Sequence, residues 1–220
     1  MCGRYTVRDP DSIAARFGID DFHETKIPPR FNVAPAQLVP VVVQEPSGRA
    51  LRPMRWGFQP AWMKQPKGPP PINARAETLV ERPLFRAALA RGRCLIPADG
   101  FYEWAARPGQ RAKQPMYLRL KDGGVFAFAG LYTAAPDGEP TCAIVTTGAN
   151  ELVRTIHERM PVILEPEQEA LWLDPAVTDP AAALACLRPL PGERMEMYPV
   201  GPGVSSVHNE GPDLVRPLPG

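Results

Sequence analysis

The chain has 220 residues, long enough to bury a sizeable core without disulfide or metal staples, and its 25 basic and 24 acidic residues leave a formal net charge of +1. An apolar content of 44% with 22% charged residues is that of a soluble globular protein, and the longest apolar runs fall far short of a bilayer span, so a cytoplasmic protein with no membrane partner is expected. Near-neutral charge announces no nucleic-acid partner, so any basic surface must be local.

Twenty-nine prolines, scattered instead of concentrated in one tract, favour short strands and rigid turns over long helices. In chain order, residues 9–17 read as a short helix, with apolar Ile13, Ala14 and Phe17 and a terminating Gly18. Residues 38–43 read as a strand interrupted by Pro40, with 51–57 as its candidate partner. The proline-rich stretch 65–71 is a loop that delivers the chain to Asn73-Ala74-Arg75-Ala76-Glu77-Thr78. A helix is predicted over 83–91, ended by Gly92, and then strands over 94–96, 101–104, 116–120, 125–132 and 142–146. Helices are predicted over 150–159, 166–173 and 180–187, a last strand over 195–200, and an irregular segment over 201–220. No repeat or linker divides the chain, which gives one α+β domain over 1–220 with a β-dominated, barrel-like antiparallel core and several short peripheral helices.

Four short segments carry most of the chemistry. Removal of Met1 would leave Cys2 with an α-amine and a thiol on adjacent carbons, two nucleophiles with reference pKa values of about 8 and about 8.5. Such an aminothiol can condense with an aldehyde and close a thiazolidine ring, or serve as nucleophile and base of a hydrolase; a small buried cysteine is the plain alternative. Glu103, between aromatics in Ala98-Asp99-Gly100-Phe101-Tyr102-Glu103-Trp104, is either a rim residue or a desolvated acid suited to proton transfer. His157 lies before Pro161 as either a structural residue or a proton carrier. Asn73 and Arg75 share a face if their segment is extended, an amide that can orient a reacting group beside a guanidinium that can hold a phosphate. The cysteines at 2, 94, 142 and 186 show no metal-ligand spacing with His23, His157 or His208, so no metal or other cofactor is expected.

The ordered set Cys2-Gly3-Arg4-Tyr5, Phe31-Asn32-Val33-Ala34-Pro35, Arg55-Trp56-Gly57-Phe58, residues 73–78, residues 93–104, Ala129-Gly130-Leu131-Tyr132 and residues 157–164 resembles the SRAP family, the SOS-response-associated peptidase domain, from Cys2 to about Leu214. The resemblance implies a sensor of abasic sites in single-stranded DNA, working as a monomer at the nucleoid. After loss of Met1, by the protein's own action or by an aminopeptidase, Cys2 would crosslink to the ring-opened sugar aldehyde through a thiazolidine. It implies that Asn73 holds the amine and sugar oxygen, that Glu103 shuttles protons and that His157 assists. Arg4, Arg75 and Arg159 would meet phosphates, with Asn32 and Arg82 as further contacts. Trp62 is a candidate stacking face, Trp56 reads better as core, and Pro40 is either a wedge beside the lesion or a strand breaker. Two other readings stand beside this one: a cysteine peptidase acting on polypeptides through Cys2, and a noncovalent single-stranded DNA-binding module.

Overall fold

Runs of β-branched residues decide the architecture. The computed structural model describes residues 2–19, 27–64 and 68–219; Met1, His23 and the first part of the expected 65–71 loop lie outside them. In chain order the elements are β1 (Tyr5–Val7), α1 (Asp11–Phe17), β2 (Arg30–Val33), β3 (Leu38–Glu45), β4 (Gly48–Trp56), β5 (Asn73–Arg75), α2 (Pro83–Arg91), β6 (Arg93–Ala98) and β7 (Gly100–Ala105). They continue with β8 (Gln114–Leu120), β9 (Phe126–Ala134), β10 (Pro140–Gly148), α3 (Glu151–Arg154), β11 (Arg159–Pro161), β12 (Ile163–Leu164), α4 (Pro166–Leu173), α5 (Pro180–Ala185) and β13 (Met195–Pro199).

The strands form two sheets in an α+β domain with short helices at its periphery. In the larger sheet, β10, β4, β3, β6 and β9 follow one another, and β9 pairs back onto β10, so the sheet closes into a ring. Closure removes free edges from the strands that carry the longest apolar runs. The ring is antiparallel except where β10 runs parallel to β4 and to β5. The second sheet, in the order β13-β8-β7-β1-β2, is antiparallel throughout.

Aromatic side chains fasten the two sheets together. Tyr5 of β1 packs edge-on against Trp56 of the ring at 5.3 Å and against Phe128 at 5.8 Å, and Phe101 of β7 meets Phe128 at 6.0 Å. Each such edge-to-face pair adds about 0.5–1.5 kcal/mol to the area it buries. Trp56 is fully buried and its indole N–H donates to the Ile72 carbonyl at 2.9 Å, so it is core, as read from the sequence.

Three expectations need correction. The helix expected over 150–159 is a single turn, α3, capped by Asn150, whose side chain accepts from the Val153 N–H. Arg159–Pro161 are drawn instead into a ladder with β10, so His157 sits between helix and strand. Pro40 does not interrupt its strand: it is buried within β3 opposite Pro53, where neither residue has an N–H to offer. The short strands β1 and β2 carry no strong apolar run, and pairing with longer neighbours forms them. Residues 201–219 are irregular as expected, with 3-10 turns at Pro202–Ser205 and Pro212–Val215.

Gly100, between Asp99 and the β7 aromatics, pairs with Thr6 where a Cβ would fall 2.1 Å from the Tyr117 hydroxyl. That hydroxyl is buried and lies 2.8 Å from Thr6 Oγ1. Gly100→Ala should therefore lower unfolding stability by about 1–3 kcal/mol, measured by denaturant titration. An unchanged midpoint would mean that Tyr117 moves aside freely.

Candidate active site around Cys2

The chain reaches the site through β1, whose ladder with β7 is extended when the Tyr102 N–H donates to the Arg4 carbonyl at 3.0 Å. This carries the residues just before β1 alongside Glu103. Cys2 is fully buried, its thiol 3.9 Å from the Arg4 carbonyl. Burial pushes the thiol pKa well above its usual range, and the Glu103 carboxylate adds to the shift. Glu103 is itself buried, so the rim alternative is excluded.

Asn73 reaches the site from the other sheet. β5 is extended and lies parallel to β10, with Asn73 beside Ile144 and Arg75 beside Thr146. The Asn73 Nδ2 donates to the Cys2 carbonyl at 3.0 Å, while its buried Oδ1 has no hydrogen-bond partner among the described residues. An unsatisfied buried amide oxygen is costly to hold, and here it stands beside the residue whose amine would need an acceptor.

On the opposite side of the same stretch of β10 lies β11, with Pro161 beside Thr146. Arg159 opens β11 and makes a bidentate pair with Glu77, at 2.7 and 2.9 Å, while its Nη2 also donates to the Thr146 carbonyl at 2.7 Å. The hydrogen bonds to Arg159 hold the Glu77 carboxyl below its usual range. His157, half-buried, has its Nδ1 2.9 Å from the Arg159 N–H and 3.1 Å from the Arg159 carbonyl.

The other residues singled out in the sequence fall into two groups. Arg75 and Arg82 are exposed, and Trp62 is 64% exposed, all open to a partner. Asn32, by contrast, is buried and its amide is fully engaged within the protein. Arg86, one turn after Arg82, spends its guanidinium on the Val80 and Glu81 carbonyls. Sequence reasoning gave no role to Glu77 or Thr146; the position of Glu77 two residues after Arg75 was the one available signal. Among the described residues no group of three or more His, Cys, Asp or Glu side chains is arranged to hold a metal ion, and no helix is long and apolar enough to cross a membrane.

Within this two-sheet fold the site sets Cys2, gripped by Asn73 of β5, in the field of the buried Glu103. The chain belongs to the SRAP family: the family model described as SOS response associated peptidase matches residues 1–207. It is 46% identical to the abasic site processing protein YoqW of Bacillus subtilis, over 98% of this chain and 99% of that one. Identity to the abasic site processing protein YedK of Escherichia coli is 31%, covering 86% of this chain and 85% of the relative. The abasic site processing protein HMCES of Gallus gallus is also 31% identical, over 89% of this chain and 68% of its own length. A crystal structure of a protein from Bacteroides thetaiotaomicron superposes with a TM-score of 0.84 at 26% identity, covering 99% of this chain and all of that one.

The raised thiol pKa makes a direct prediction. Alkylation of Cys2 by iodoacetamide, followed by peptide mass, should reach its midpoint at a higher pH than for a free thiol. In Glu103→Gln, which removes a negative charge that disfavours the thiolate, the midpoint should move down. Identical pH profiles would show that Glu103 exerts no field at the sulfur.

Proposed function

We propose that this protein senses abasic sites in single-stranded DNA by forming a covalent thiazolidine through Cys2. The observation that carries the reading is the buried Cys2, gripped through its carbonyl by Asn73 and set in the field of Glu103, in a chain whose relatives are named abasic site processing proteins.

Loss of Met1, by its own action or by an aminopeptidase, frees the α-amine. An abasic deoxyribose opens to its aldehyde when the ring oxygen gains a proton and the anomeric hydroxyl loses one, and Glu103 serves both transfers. The amine adds to the aldehyde carbon and water leaves, giving an imine. The sulfur then adds to the imine carbon, the thiol proton passes to the nitrogen by way of Glu103, and the five-membered ring closes, with one water as the only by-product. Asn73 fixes the Cys2 backbone and offers Oδ1 to the amine. His157, in the turn before β11, assists as a further acid or base. Arg4, Arg75 and Arg82 meet phosphates, Arg159 joins them only by giving up its pair with Glu77, and Trp62 offers a stacking face worth about 1–3 kcal/mol per base.

The direction of the thiol shift favours this order of events over the peptidase alternative. Cysteine peptidases work with a thiolate whose pKa is depressed, whereas burial and Glu103 raise that of Cys2. An amine that attacks first needs no thiolate in the resting protein. Noncovalent DNA binding alone leaves the grip of Asn73 on Cys2 without a purpose.

Incubation with an abasic oligonucleotide should yield an adduct stable on a denaturing gel, with an intact mass of the free protein lacking Met1. An adduct that persists in Cys2→Ala, or a retained Met1, would overturn the proposal. The crosslinking rate should fall below about pH 6, where an amine of reference pKa about 8 is protonated, and fall again at high pH as the proton donor is lost. A rate flat from about pH 5 to about pH 9 contradicts the scheme. Asn73→Ala should slow crosslinking by about 10²-fold or more while leaving cooperative melting intact; loss of melting would assign Asn73 to the scaffold.

A further inference from the structure

The arginines of the protein differ in what holds them. Arg8, Arg16, Arg30 and Arg159 each face a carboxylate, from Asp99, Glu169, Glu210 and Glu77 respectively. Arg4 does not. Its Nη1 donates to Asn32 Oδ1 and to the Val204 carbonyl, both at 2.7 Å, and its Nη2 lies 3.4 Å from the Ser205 carbonyl. Among the described residues it forms no ion pair. Neutral acceptors orient a guanidinium without cancelling its charge, and here they leave Nε–H and one Nη2 hydrogen for an anion.

Asn32 is the hinge of this arrangement. It is 1% exposed, its Oδ1 takes the Arg4 proton, and its Nδ2 donates to the Ser206 carbonyl at 2.8 Å and the Asn209 carbonyl at 2.9 Å. The segment it grips is braced from within by Asn209 Nδ2, which donates to the Gly203 carbonyl at 2.8 Å, and from outside by Trp104, whose indole N–H reaches Ser205 Oγ at 3.3 Å. An amide with all its partners inside the protein has nothing left for DNA.

We infer that Asn32 is a positioning residue: with residues 204–209 it forms a neutral cradle that aims Arg4, charge intact, at a DNA phosphate beside Cys2. The inference rests on the functional reading above and reassigns Asn32 from DNA contact to support.

The test measures binding of undamaged single-stranded DNA across a salt series, and crosslinking to an abasic strand, for wild type, Asn32→Asp, Arg4→Ala, the double variant and Asn209→Ala. Asn32→Asp places a carboxylate on Arg4 and should weaken binding about tenfold at low salt. It should also reduce the salt slope by about 0.7, the value for one phosphate on a single strand. Arg4→Ala should do the same, and the double variant should be no worse than Arg4→Ala. Asn209→Ala, an exposed change that loosens the cradle while leaving the core untouched, should weaken binding in the same direction and serves if Asn32→Asp does not melt cooperatively. Additive losses in the double variant, an unchanged salt slope in Asn32→Asp, or full binding by Asn209→Ala would each overturn the inference while wild type still crosslinks. A wild type that neither binds nor crosslinks would overturn the functional reading itself.

Discussion

One strand has to serve four neighbours. The nine residues of β10 pair with β9 over their first half, touch β4 at Thr141 and Cys142, and then take β5 on one side and β11 on the other around Thr146. A strand in a regular sheet keeps the same two partners along its length; here the partners change midway, because the ring closes on the first half of β10 and leaves the second half to collect short segments. Those segments bring Asn73, Arg75 and Arg159 to the site. Neither β5 nor β11, three residues each, would be extended on its own, since a strand of that length gains little without a longer one to template it. The closure of the ring thus fixes the geometry of the polar groups as surely as it buries the apolar ones.

Charge is distributed by the same economy. A chain near neutrality that meets a polyanion must keep a few positive groups unpaired while neutralising the rest. Bidentate pairs such as Arg16 of α1 with the buried Glu169 of α4 tie helix to helix and contribute nothing to an outside field. Arg93, buried among the carbonyls of Leu89, Trp172, Asp174 and Val177, also serves the interior, closing the carbonyl ends of α2 and α4. Arg4, near the start of the chain and held by neutral oxygens, and the exposed Arg75 of β5 are among the guanidinium groups that keep their charge.

Much of this was legible before any coordinates. The strands β3, β6, β9 and β10 announce themselves through dense Val, Ile, Leu, Phe and Ala, and α4 begins and ends where Pro166 and Leu173 place it. Cys2, Asn73 and Glu103 stood out because each sits in a dense motif. What escaped is tertiary in origin. The helical pattern of 150–159 is real for one turn, and then the ladder to β10 outweighs local propensity. Pro40 looks like a breaker in isolation, yet it is accommodated because its strand neighbour at that point is another proline. The partners of Arg4 and Asn32 could not be read at all, since backbone carbonyls carry no sequence signature and these lie up to 200 positions away.

That separation has a kinetic side. Contacts between distant parts of a chain form late, because loop closure must precede them, and a ribosome delivers residues in order at about 5–20 per second. The residues around Cys2 therefore leave the ribosome on the order of ten seconds before the segment at 204–209 that completes their surroundings. The partners that hold Cys2 itself, Asn73 and Glu103, come from the first half of the chain, so the second residue can be enclosed before Arg4 and Asn32 find the carbonyls that aim them.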